Sequence, residues 1–236
     1  LDFMNSLDKE AMTYTEIILA LPGDSKEKHF NSLKYGIDAQ VSSLRMYQAI
    51  LLSGTDMASM ETRKKFDLIT RFRVVPGGVG VYRFGDHDYP VAEIEEIIVG
   101  SKDMPFEDYI SCRVMNLFIE TYLNNDLCEE VFAALRAMGL SAHEFLVYLI
   151  DHDEIYTPKV NEILDKFVRA TRDDLYETYE DARTSVLSPA LFEQYLSGAL
   201  GSNELLEHKA MLYSELDDIL SVLQKAVSMY LEEKGL

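Results

Sequence analysis

Thr15-Glu16-Ile17-Ile18-Leu19-Ala20-Leu21-Pro22-Gly23-Asp24-Ser25 is an apolar run that stops at a Pro-Gly turn and passes into a helix cap. Short apolar runs closed by turn residues are how buried parallel strands read. Pro presets φ for the turn and Gly accepts positive φ, so Pro22-Gly23 ends the strand sharply. Asp24 or Ser25 then caps a helix, with Glu27 available for a capping box, Phe30 and Leu33 facing inward and Gly36 closing it. A second strand over residues 41–50 contains Ser43-Leu44-Arg45-Met46-Tyr47-Gln48-Ala49-Ile50 and leads into Leu51-Leu52-Ser53-Gly54-Thr55. Strand, helix and strand make a βαβ unit, whose crossover is expected to be right-handed and its strands parallel. The expected fold class is α/β.

Outward from this unit, residues 1–5 read as a further strand and 8–12 as the start of a helix. Only about seven residues then separate them from Tyr14, whereas a parallel crossover takes about 10–12 or more. Either these strands are not neighbours or a segment is missing between Leu7 and Tyr14. Residues 57–66 predict a short helix. Residues 71–75 and 79–84 flank Pro76-Gly77-Gly78 and predict a β-hairpin. Residues 92–99 predict a short helix with Glu93, Glu95 and Glu96 on a solvated face. From Met104 strand signals disappear. Ile110, Val114, Leu117, Phe118 and Tyr122 keep helical spacing. Ser141 with Glu144, Thr157-Pro158 and Ser188-Pro189 each open a helix. Residues 203–233 predict one long helix with a stripe of Leu206, Tyr213, Leu220 and Val227, completed by Leu216, Leu223 and Tyr230. Its length suits a bundle. The expected division is residues 1–103, α/β with the hairpin, and residues 104–236, an all-α C-terminal domain.

The chain has 236 residues, 47% hydrophobic and 27% charged, which suits a globular domain with a real core. Its net charge of −19 repels phosphate backbones, so nucleic-acid binding through this segment is not expected. There is no run of about 18 apolar residues and no secretory signal pattern, so no membrane association is expected. The first residue is Leu1 rather than Met, which is expected of a piece of a longer protein. Cys112 and Cys128 are the only cysteines, and free thiols in a reducing cytoplasm are the default.

Metal chemistry has little support in the spacing. Cys112 and Cys128 are not clustered as zinc or iron–sulfur ligands are. His87 lies between Asp86 and Asp88, and His152 between Asp151 and Asp153, but sequence neighbours do not share a helical face. His29, His143 and His208 read as surface helix residues. Gly77, Gly78 and Gly80 make no phosphate-binding loop, since no Gly-Lys-Ser/Thr follows.

Residues 16–25 resemble the Asp/Glu-x-Ile-x-Gly-Leu-Pro-Gly-Glu/Gln-Thr segment of radical S-adenosylmethionine enzymes, the fifth strand of their barrel and its loop. Leu51-Leu52-Ser53-Gly54-Thr55 resembles the Leu-Leu-Pro-Gly-Thr after the sixth strand. Met4-Asn5-Ser6-Leu7-Asp8 is similar to the end of the fourth. Arg71-Phe72-Arg73-Val74-Val75-Pro76, with Val81-Tyr82-Arg83-Phe84-Gly85 and Glu93-Ile94-Glu95-Glu96, resembles the region after the barrel in the cobalamin-binding branch. The likeness covers roughly residues 1–125. Ala20 stands where the family has Gly, and Ser53 where it has Pro. The Arg that follows the fourth strand has no counterpart, and no Cys-x-x-x-Cys-x-x-Cys is present.

The resemblance implies a partial radical S-adenosylmethionine (β/α) barrel, its last strands only, followed by the helical domain. It implies that Glu16 accepts hydrogen bonds from the S-adenosylmethionine ribose, that Asn5 contacts the same sugar, and that Gly23 lets the loop approach the ligand. Gln48, Leu51 and Leu52 would line the adenine edge, largely through backbone groups. The parent enzyme would hold a [4Fe-4S] cluster, cleave S-adenosylmethionine to a 5′-deoxyadenosyl radical, and in the cobalamin-binding branch use cobalamin for methyl transfer. Cluster and cobalamin would belong to the N-terminal remainder of the same polypeptide, and this chain alone would be inactive. The substrate is unknown. The alternative is a non-enzymatic acidic helical module that binds a basic protein.

Overall fold

The computed structural model describes residues 13–124 and 126–236. The strand and helix expected before Thr13, and Asn5 with them, lie outside the described residues. The molecule is mixed α/β, with four strands in two pairs and helices in the remainder.

β1 (Tyr14–Leu19), α1 (Lys26–Asp38) and β2 (Ser43–Gln48) form the βαβ unit. The strands are parallel, with Tyr14 opposite Ser43 and Leu19 opposite Gln48. Between them Leu21-Pro22-Gly23-Asp24 closes a turn in which the Asp24 N–H donates to the Leu21 carbonyl at 2.8 Å and Gly23 has φ +86°. The Ser25 hydroxyl caps α1, accepting from the Lys28 N–H at 3.3 Å. Gly36 does not end this helix. A Cβ there would stand 2.5 Å from Leu44 Cδ2, so the bare Cα lets α1 lie against β2.

The hairpin is longer than expected and turns elsewhere. α2 (Met60–Phe66) precedes β3 (Ile69–Phe84), which pairs antiparallel with β4 (His87–Gly100) around Gly85-Asp86. Pro76-Gly77-Gly78 is thus no hairpin turn. It sits in the register shift between Val74 and Val79, a bulge within one strand. Residues 92–99 are strand rather than helix. Ile94, Ile97, Ile98 and Val99 are β-branched, and packing against neighbouring strands overrides the helix-like Glu spacing. Glu95 and Glu96 are not a solvated face either: Arg73 Nε donates to Glu95 at 2.6 Å, and Arg63 grips Glu96 in a fork at 2.6 and 2.7 Å. β4 also meets the extension of β2. The Leu51 N–H donates to the Glu96 carbonyl at 2.8 Å, and the Ile98 N–H to the Ala49 carbonyl at 2.9 Å. No barrel closes among the described residues.

All named elements after Met104 are helices: α3 (Phe106–Phe118) with a π-helical turn (Ile119–Leu123), α4 (Glu129–Ala137), α5 (Ala142–Asp151), a short 3₁₀ turn (Asp153–Ile155), α6 (Pro158–Asp173), α7 (Tyr179–Val186), α8 (Pro189–Leu196), α9 (Glu204–Ser214) and α10 (Leu216–Glu233). The single long helix expected over 203–233 is two. Glu215, at φ −113° and ψ 50°, breaks it. The heptad stripe holds only in part: Leu223 and Tyr230 are buried, but Leu206, Leu216 and Leu220 are exposed, and Leu205, Leu212, Ile219, Val222 and Ala226 are buried beside them.

One core gathers Leu33, Leu44 and Met46 of the βαβ unit with Phe118, Phe132, Phe145, Phe167 and Tyr230 of the helices, so apolar packing runs across the boundary at residue 103. A second gathers Leu19, Leu51, Ile97, Ile98 and Tyr109. His29, His143 and His208 are buried in this packing, not on the surface. Their ring bodies fill apolar space, as with His208 edge-on to Phe167 at 5.4 Å. No single helix among the described residues is long and apolar enough to cross a membrane.

Candidate functional site

The β1–β2 pair has two unlike faces. Thr15, Ile17, Leu19, Leu44 and Met46 turn inward, while Tyr14, Glu16, Ile18, Arg45 and Tyr47 are exposed or nearly so on the other side. α1 packs on the inward side, since Leu33 and Ile37 share its core. The outer face is uncovered among the described residues and carries Tyr14 at 61%, Ile18 at 43% and Tyr47 at 47% exposure. Glu16 sits mid-strand there, opposite Arg45 in register, and Arg45 lies over the Tyr14 ring at 5.1 Å. The Glu16 carboxylate makes no hydrogen bond or ion pair among the described residues.

The other residues expected to hold S-adenosylmethionine are spread around the end of β2. Gly23 occupies the turn after β1, with its carbonyl accepting from Lys28 Nζ at 2.7 Å. Leu51 is buried and Leu52 exposed. The backbone expected to read an adenine edge is partly engaged already: the Ala49 N–H donates to the Leu19 carbonyl and the Leu51 N–H to the Glu96 carbonyl. Gln48 belongs to the inward side, where its Nε2 donates to Glu204 at 3.3 Å. There it lines a cavity.

That cavity, about 340 Å³, opens where β2 ends. The base of the hairpin contributes Arg73 and Val74, α3 gives Tyr109, α6 gives Lys166 and Thr171, and Asp174 follows α6. Tyr195 comes from α8, and Glu204, Glu207 and His208 from α9. Glu204 is placed by its helix: Asn203 caps α9, accepting from the Leu205 and Leu206 N–H groups, and the next residue enters the interior. There Arg113 donates to Glu204 Oε1 at 2.6 Å, and Arg73 stands 3.7 Å from the same oxygen. Burial alone would raise the Glu204 carboxyl, but the two guanidinium groups outweigh it and hold it below its usual range. Arg113 is 4% exposed at its side chain, so removing either partner would strand a buried charge.

Two polar groups in the wall are left open. Gln48 Oε1 is buried with no hydrogen-bond partner. Tyr109 is 1% exposed, lines the cavity, and its hydroxyl has no hydrogen-bond partner among the described residues. Burial pushes that hydroxyl up to about 12, so it stays protonated. His208 engages the Glu204 carbonyl through Nδ1 at 2.7 Å. A carbonyl only accepts, so Nδ1 carries a proton. Asp174 is raised from its usual range by desolvation and by the Glu204, Asp173 and Glu207 carboxylates, with Arg73 opposing.

No three His, Cys, Asp or Glu side chains converge as metal ligands among the described residues. Cys112 and Cys128 are buried free thiols, and burial pushes them up to about 12 and about 11. His87 begins β4 at the exposed tip of the hairpin, and His152 stacks on Tyr148 at 3.8 Å.

Sequence reasoning missed Arg113, Asp174, Glu204 and His208. The only local signal was the Asn203 cap, which places Glu204 in a first helical turn. That this turn meets Arg73 and Arg113 follows from tertiary packing. No protein-family model matches the chain, and no curated protein matches it.

Proposed function

We propose that this chain is part of a cytoplasmic radical S-adenosylmethionine enzyme of the cobalamin-binding type, with β1 and β2 as two of the later strands of its barrel and the open face of that pair turned to the ligand. The observation that carries the proposal is that face. A parallel pair is normally covered on both sides. Among the described residues α1 covers one side, while the other presents Glu16, whose carboxylate has no partner among them, beside Tyr14, Ile18 and Tyr47. The cover of that face would be the earlier strands, supplied by the N-terminal remainder of the same polypeptide.

The residues present fit part of the chemistry. A carboxylate accepts from two vicinal hydroxyls, so Glu16 suits a ribose. Ala20 supports the likeness in a second way. It has φ +66° in the place where the family carries Gly, the residue most at ease there. The residues do not fit a [4Fe-4S] cluster: two buried, protonated cysteines cannot supply three thiolates. The cluster would therefore be held upstream, and this chain would bind and orient the nucleoside end only.

The coding sequence upstream of Leu1 provides the first test. A Cys-x-x-x-Cys-x-x-Cys there supports the assignment, and its absence favours an acidic helical module that binds a basic protein. The second test is Glu16→Gln in the full-length protein. Charge-assisted bonds to the ribose become neutral, which costs about 1–2 kcal/mol, or roughly five- to thirtyfold in S-adenosylmethionine affinity. Calorimetric titration of both forms measures this, and equal affinities would leave Glu16 a solvated strand residue.

A further inference from the structure

We propose that the cavity at the end of β2 binds a small organic cation rich in N–H donors, of the alkylamine or guanidine class. This site is separate from the open face of β1–β2 and does not depend on the assignment made for it. Its volume, about 340 Å³, falls within the usual range of small-molecule pockets.

The inference rests on what the wall offers and what it has already used. The cations of the wall are spoken for. Arg73 is held by Glu95 at 2.6 Å and flanks Glu204, and Lys166 donates to Glu162 at 2.7 Å. Two carboxylates have no such partner. Asp174 has no ion pair among the described residues, and Glu207 accepts only the Ser202 hydroxyl. The neutral groups point the same way. Gln48 Oε1 is a buried acceptor without a donor. The hydroxyl of Tyr109, which lines the cavity, has no hydrogen-bond partner among the described residues. A buried acceptor left open costs free energy until a donor reaches it.

An anion would face Asp174 and Glu207 without an uncommitted cation to meet it. A neutral apolar molecule would leave the acceptors open. A protonated amine or guanidinium answers both. Desolvation and neighbouring carboxylates already press Asp174 toward its neutral form, a strain that a bound cation relieves. The net charge of −19 draws cations toward the molecule as a whole.

Agmatine, which carries both a guanidinium and an amine, is the probe, titrated calorimetrically into this chain at low salt. Saturable one-to-one binding is expected, with none for succinate. The double variant Asp174→Asn/Glu207→Gln alters two exposed side chains and should fold normally, which a thermal melt checks. It should weaken agmatine by about tenfold or more, since bonds to charged groups are the strong ones. Tyr109→Phe should weaken it by about threefold, as a single neutral bond does. Asp86→Asn/Glu233→Gln changes the net charge equally, at the hairpin tip and in α10, and should leave affinity unchanged. Absence of saturable heat at millimolar agmatine, equal binding of succinate, or equal losses in the two double variants would overturn the proposal.

Discussion

At the scale of single residues, the buried histidines couple this fold to pH. His29 is 1% exposed, with Nδ1 3.9 Å from Asp24 and Nε2 3.5 Å from Asn116. Burial lowers its pKa from 6.5, and the Asn116 bond and Asp24 only partly oppose this. Burial lowers His143 as well, with Lys34 adding to the effect and Asp38 and Glu144 opposing. Below their unfolded pKa of about 6.5, both rings bind more protons in the unfolded chain than in the folded one. Stability therefore rises with pH through that window and is lost as pH falls through the folded values. Thermal melts by circular dichroism should show a lower Tm at about pH 5.5 than at about pH 7.5, where histidine titrates. His29→Gln should make the dependence shallower, and an unchanged slope would show that His29 does not contribute to it. Helical spacing alone marked these rings as surface residues. A ring's exposure is set by what packs on it, and the partners Asn116 and Phe30 come from other helices.

At the scale of elements, the hairpin shows how a strand outgrows its sequence signal. The base of β3 and β4 is anchored by Val74, Ile97 and Ile98 in the core. Beyond the bulge at Pro76-Gly77-Gly78, Val81, Tyr82, Phe84, Tyr89 and Val91 are exposed. Two strands without a covering layer are marginal in water, so the arm draws its order from the base. Joining Val81 to Pro90 through Asn-Gly, a turn suited to a hairpin, should change unfolding free energy in urea by less than about 1 kcal/mol. A larger loss would mean that the tip packs on the body. The glycines of the bulge mimic a turn because both need unhindered backbone. Only the register with β4 tells the two apart. The break at Glu215 was hidden for a similar reason: α9 and α10 each keep apolar spacing, and no Pro or Gly marks the junction.

At the scale of the molecule, charge is the main influence on stability after packing. Forty-one acidic residues face 22 basic ones. Self-repulsion of this size opposes the compact state, and salt screens it. The Debye length shrinks from about 30 Å at 0.01 M to about 10 Å at 0.1 M salt. Tm should rise across that interval by a few degrees, at about 2–4 °C per kcal/mol for a chain of this length. A fall in Tm would show that ion pairs such as Arg63–Glu96 and Arg113–Glu204 outweigh the repulsion.

The sequence by itself determined the βαβ unit, because strand length, the Leu-Pro-Gly turn and the Ser25 cap are local properties of the backbone. It determined the helical character after Met104 for the same reason, through periodicity and caps at Ser141 and Thr157. Tertiary structure alone decided that residues 92–99 are a strand, because their partner is Ile69–Phe84 and strand pairing is a contact at a distance. It alone decided the cavity. Gln48, Tyr109, Asp174 and Glu204 are far apart in the chain, and what each offers has meaning only beside the others. Local rules act over a helical turn or a β-turn, whereas burial, ion pairing and an orphaned acceptor depend on which distant segments the packing brings together.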